Sequence, residues 1–125
     1  MPHAFSDACH SSGPLLFRDY YQFTVKTIQY IKNFRDVCWI IKPHPSSFMY
    51  GEEGIVRDLL TGILNESNIF LCPTDLNTSS VFEVASTIIT GRGTIAIEAA
   101  ACGINAIIAG RTPWSGYGVC YEPKT

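Results

Sequence analysis

Four short, β-prone runs recur through this 125-residue chain, each separated from the next by a stretch with helical periodicity. The runs are Val37-Cys38-Trp39-Ile40-Ile41, Ile69-Phe70-Leu71-Cys72, Ser86-Thr87-Ile88-Ile89-Thr90 and Ala106-Ile107-Ile108-Ala109. Residues 15–34 follow Pro14 and place Leu16, Tyr20, Phe23, Ile28, Tyr30 and Ile31 at three- and four-residue steps, which predicts the longest helix. Residues 52–64 repeat the pattern with Ile55, Val56, Leu59, Leu60 and Ile63. Asn77, Thr78 and Ser79 can cap a short helix reaching about Val84, and residues 94–102 read as another helix. A last strand is expected at residues 119–121, after a loop over 110–118. Continuous apolar strands alternating with helices require a parallel sheet covered on both faces. The expected class is therefore α/β, a Rossmann-like doubly wound parallel sheet forming one domain over residues 1–125. Only residues 2–5 precede the loop 6–14, so the first strand reads as short or missing and the chain as a fragment of a larger two-domain protein. The ending Glu122-Pro123-Lys124-Thr125, with no closing helix, reads the same way.

In such a sheet the ligand crevice lies beyond the carboxyl ends of the strands. The loops 42–45, 73–75, 91–94 and 110–118 each follow a strand and belong on that edge. Gly91 and Gly93 allow a tight turn and close approach to a ligand, and Thr94 opens a helix whose first N–H groups can bind an anion. Thr94 serves there as a cap, a phosphate contact or both. Glu98, one turn later, shares its helix face and suits a ribose hydroxyl if that face meets the crevice. Arg92 offers a fork for a phosphate or sits on the surface. His44 stands between Pro43 and Pro45, which fix the backbone on both sides, so its imidazole is presented with little entropy left to lose. Lys42 beside it can neutralise a leaving phosphate or simply end a strand in solvent. Asp7, next to Ser6, is either a base or a turn residue. Tyr117, between Gly116 and Gly118, and Trp114 are candidates for stacking on a ligand or for anchoring a turn. His3, Asp7, Cys9 and His10 lack any standard metal-ligand spacing, so no metal is expected.

With 9 basic and 11 acidic residues, the net charge is -2 and the basic residues are scattered, which argues against a nucleic-acid surface. Five cysteines, an odd number without a paired C-x-x-C, read as buried free thiols in a reducing compartment. No run approaches the roughly 20 apolar residues of a membrane span and no secretory signal opens the chain, so a cytoplasmic location is expected.

Lys42-Pro43-His44-Pro45, then Thr90-Gly91-Arg92-Gly93-Thr94 with Glu98 and Gly103, then Ala109-Gly110 and Gly116-Tyr117-Gly118, resemble the bacterial capsule-polysaccharide biosynthesis family in content and order. The opening His3-Ala4-Phe5-Ser6-Asp7-Ala8 is similar to the segment that begins that family's C-terminal region. The resemblance implies the donor-binding, C-terminal half of a GT-B glycosyltransferase. It is related to the glycerophospho-, sialyl- and Kdo-type transferases that carry a Lys-x-His-Pro segment. It implies catalytic roles for His44 and Asp7, and nucleotide contacts from Lys42, His44, Gly91, Arg92, Gly93, Thr94, Glu98 and Tyr117. The expected ligand is a nucleotide-sugar donor, CMP- or CDP-type in preference to UDP-type, with no further cofactor and a glycan or lipid-linked acceptor. Peripheral assembly at the inner face of the cytoplasmic membrane, through parts outside this chain, and homo-oligomer formation are compatible with it. Two other readings compete: a nucleotide-sugar 2-epimerase-like domain, and a non-catalytic α/β interaction module whose glycine and proline loops are structural.

Overall fold

A computed structural model describes residues 1–9, 11, 13–64, 66 and 68–124. The chain is a mixed α/β protein with parallel strands, in the order α1 (Tyr20–Ile31), β1 (Trp39–Ile41), a 3-10 helix (Pro45–Tyr50), α2 (Ile55–Leu59), β2 (Ile69–Leu71), α3 (Thr78–Phe82), β3 (Thr87–Thr90), α4 (Ile95–Ala101) and β4 (Asn105–Ile108). No described helix is long and apolar enough to cross a membrane.

The strands form two separate parallel pairs. In one, β1 lies beside β2 with Trp39, Ile40 and Ile41 opposite Ile69, Phe70 and Leu71. In the other, β3 lies beside β4 from Thr87↔Asn105 to Thr90↔Ile108. The first pair is packed by Ile28 and Ile31 of α1 together with Val56, Leu60, Ile63 and Ile69. The second is packed by Val81, Ile88 and Ala99 on one side and by Ala96, Ala106 and Ile108 on the other. Each pair thus has its own apolar cluster, worth on the order of 1.5–3 kcal/mol for each large side chain buried.

Departures from the sequence reading have local causes. α1 starts at Tyr20 because residues 14–16 are used in extended pairing: Leu16 N–H donates to the Ala109 carbonyl at 2.8 Å, and Arg111 N–H donates to that of Pro14 at 3.0 Å. Asp19 then caps the helix, its carboxylate accepting from Gln22 N–H at 2.7 Å. The helix expected over 52–64 is regular only from Ile55 to Leu59; Gly54 and Gly62, at φ +87° and +88°, bracket it with left-handed backbone. The strand expected at 119–121 is a single bridge, Tyr121 opposite Ile107. Residues 2–5 form no strand; the Met1 amine donates to the Ile89 carbonyl, and Asp7 N–H closes a turn onto the Ala4 carbonyl at 3.3 Å. Among the described residues no strand joins β1 to β3, so they show two pairs where one continuous sheet was expected. The cysteines are free, as expected, but not buried: Cys38 and Cys102 are exposed and the other three are half-covered.

Candidate functional site

β1 ends at Ile41, and the next residue, Lys42, turns inward. Its side chain is 2% exposed, and its ammonium donates to the Thr74 carbonyl at 3.1 Å, in the loop that follows β2. Among the described residues no carboxylate lies within ion-pairing distance of it, and the salt bridge found among them is Arg18 to Asp19. A buried ammonium with one neutral partner is costly unless an anion joins it.

His44 follows, extended at φ -66° and ψ 133° as its neighbouring prolines require, and its Nδ1 accepts from Ser46 N–H at 3.2 Å to cap the 3-10 helix. The remaining ring nitrogen, Nε2, then carries the hydrogen and is free to donate. Burial lowers the His44 pKa; the Asp7 carboxylate opposes the shift and the Lys42 ammonium adds to it. Glu52 opposes the shift as well, so the ring sits between one basic group and two acidic ones.

His3 joins this loop to the glycine turn. Its ring stacks on Tyr20 with centroids 4.1 Å apart and planes 8° from parallel, and it faces the His44 ring at 6.3 Å. His3 Nε2 accepts from Arg92 N–H at 2.9 Å. Gly91 is needed for this approach, because a Cβ there would stand 3.1 Å from both the His3 and Tyr20 rings. Burial, reinforced by His44, lowers the His3 pKa to about 4. Glu52, itself buried, holds the segment in place by accepting from Phe5 N–H at 2.7 Å and Ser6 N–H at 2.6 Å, one oxygen for each.

The loop after β1 thus meets the loop after β2 through Lys42 and the turn after β3 through His3. Of the residues named from sequence, Lys42, His44, Gly91 and the Arg92 backbone are in this cluster. Asp7 is exposed, accepts from Ala8 N–H at 2.8 Å, and acts on His44 and His3 through its charge. The Arg92 guanidinium is already engaged: one terminal nitrogen donates to the Cys9 carbonyl and the other to that of Gly13, while Nε is buried without a partner. It braces the loop before α1, so its fork does not face the crevice as a free phosphate ligand. Gly93 lies beside Thr90 and His3. Thr94 is exposed, is itself helical at φ -55° and ψ -22°, and makes no side-chain cap bond, so of the roles expected for it the cap is not seen, at the start of an α4 of 7 residues. Among the described residues Glu98 is exposed with no side-chain hydrogen bond, and Tyr117 is 79% exposed with no ring contact.

Two members were missing from the expected set. Glu52 fell within the helix expected over 52–64 with no role of its own, and His3 was named only in the metal set and in the opening segment, because their partners are 47 and 89 residues away in sequence. Among the described residues no group of three His, Cys, Asp or Glu is placed to hold a metal ion, and His10 lies outside them. No family model, curated protein or solved structure matches the chain.

Proposed function

We propose that this chain binds the nucleotide of a nucleotide-sugar donor in a bacterial glycosyltransferase of capsule or surface-polysaccharide synthesis. Its two strand pairs would then be parts of one Rossmann-like doubly wound sheet. The observation that carries the reading is the Lys42 ammonium, buried against a single carbonyl beside the proline-framed His44, at the carboxyl ends of parallel strands. The resemblance of the proline and glycine motifs, in content and order, to the capsule-polysaccharide family is what suggests it. In transfer, an acceptor hydroxyl oxygen bonds to the anomeric carbon while the sugar–phosphate C–O bond breaks, and the electron pair leaves on the phosphate. Lys42 and the His44 Nε2–H stabilise that leaving charge without a metal, and Asp7 takes the acceptor proton. The site faces the cytoplasm in this reading.

Backbone NMR titration with CMP, CDP and UDP tests the proposal. The expected result is millimolar binding that moves resonances at Lys42, His44 and Gly91, with cytidine nucleotides ahead of UDP. Lys42→Met and His44→Ala should each weaken binding about tenfold, the scale of one charge-assisted hydrogen bond. No perturbation near His44 at millimolar ligand rejects the proposal, and a clear UDP preference transfers it to the 2-epimerase-like reading.

A further inference from the structure

Lys42 is 2% exposed, so no phosphate reaches its ammonium unless part of the surrounding structure moves. The three segments that meet here are held unequally. After β1 the backbone is fixed by Pro43 and Pro45, and the His44 Nδ1 and carbonyl accept from Ser46 N–H at 3.2 Å and Ser47 Oγ at 2.8 Å. After β3 the turn at Gly91 leaves no room for a Cβ against the His3 and Tyr20 rings, and Arg92 N–H donates to His3 Nε2. After β2 the chain is looser. Cys72 N–H still belongs to the strand ladder, donating to the Ile41 carbonyl at 2.8 Å, and Asn77 caps α3 by accepting from Ser79 N–H at 3.0 Å. Between these fixed points residues 73–77 are all exposed, and Leu76 N–H makes a turn bond back to the Pro73 carbonyl at 3.3 Å. Among the described residues, the hydrogen bond that fastens this loop to the rest of the molecule is the one from Lys42 to the Thr74 carbonyl.

We propose that the loop 73–77 is a cover over Lys42 that lifts when an anion binds, the ammonium exchanging the Thr74 carbonyl for an oxygen of the ligand's phosphate. The exchange is favoured by charge, since a sheltered cation gains more from a full negative charge than from a carbonyl dipole. It leaves nothing orphaned, because the released carbonyl belongs to an exposed loop and turns to water. Cys72 and Asn77 are the two ends about which the loop swings. Lifting and anion binding then reinforce each other: whatever loosens the loop raises the affinity at Lys42, and a closed loop lowers it in proportion to its population. That the anion is a nucleotide phosphate rests on the function proposed above; the cover itself rests on the burial of Lys42 and its bond to Thr74.

Reductive methylation of the whole chain, read lysine by lysine by mass spectrometry, tests the cover without any ligand. Lys42 should react at least about tenfold more slowly than the exposed Lys26 and Lys32. Pro73→Gly and Thr74→Gly, which loosen the loop and keep the Thr74 carbonyl, should each raise the Lys42 rate about threefold and leave Lys26 and Lys32 unchanged. A Lys42 rate that ignores both variants overturns the inference, as does a rate equal to that of Lys26 in the unaltered chain. The ligand arm uses NMR. Asp75 N–H shares its peptide unit with the Thr74 carbonyl, so its resonance shows whether the Lys42 bond is made, and Lys42→Met supplies the position for the broken bond. Millimolar CMP should move Asp75 toward that position together with His44. A shift at His44 with Asp75 unmoved overturns the cover and leaves the nucleotide reading standing. No shift at either rejects the nucleotide, and the methylation rates alone then decide for or against the cover.

Discussion

A histidine nitrogen that accepts a backbone N–H has to stay unprotonated, and His3 Nε2 is in that position against Arg92. Burial, reinforced by the His44 charge, holds the His3 pKa near 4, below its ordinary 6.5, and so keeps the ring in the neutral form that can accept. The unfolded chain takes up the proton more readily, so stability is fully present above pH 6.5 and is lost as pH falls from 6.5 toward 4, by up to about 3 kcal/mol. The Met1 amine, lowered to about 5, adds a similar loss between pH 8 and 5. Denaturation midpoints measured across this range should fall with acidification, and His3→Gln, which keeps an acceptor but cannot titrate, should flatten the curve between pH 6.5 and 4. An unchanged curve would place the linkage elsewhere. Gly110 imposes a different constraint at the same scale: a Cβ there would stand 2.5 Å from Arg92 Nε and 2.7 Å from Leu15 Cδ1, so no other residue fits without moving the brace on the loop before α1.

Between elements, the connection that matters is the Glu52 carboxylate, which reaches from the start of the α2 region to the turn carrying Asp7. Glu52→Gln replaces one acceptor oxygen with a donor facing a backbone N–H. It should cost about 1–3 kcal/mol and speed exchange at the Phe5 and Ser6 amides. If those amides stay protected, the turn is held by something other than Glu52. How much of this was legible in the sequence follows from the range of the interactions involved. The strands β1 to β4 and the helices α1, α3 and α4 stand where apolar period and cap residues put them, within a few residues, because those signals are local. The fixed backbone at His44 was legible for the same reason, since prolines stand on either side, whereas the inward turn of Lys42 onto the Thr74 carbonyl was not. The shortening of α1 and the roles of His3, Glu52 and the Arg92 fork depend on partners dozens of residues away, and no local pattern encodes them. The five-residue α2 is the intermediate case: its apolar spacing continues through Ile63, yet Gly54 and Gly62 stop the regular helix.

At the scale of the whole molecule, two strand pairs with separate apolar clusters are joined by no shared ladder. Such halves need not unfold together. The chain has one tryptophan in each, Trp39 on β1 and Trp114 in the loop after β4. Trp114→Phe and Trp39→Phe variants, each leaving a single reporter, should show different denaturant midpoints. Coincident midpoints would mean that the contacts around His3 weld the halves into one cooperative unit. The two exposed cysteines are divided the same way, Cys38 just ahead of β1 and Cys102 at the end of α4. A molecule with one reactive thiol stops at a dimer on oxidation, but one with two on different parts of its surface is a bifunctional monomer. In an oxidising medium this protein will therefore string into open-ended, disulfide-linked chains, and it stays a discrete species only where thiols are kept reduced.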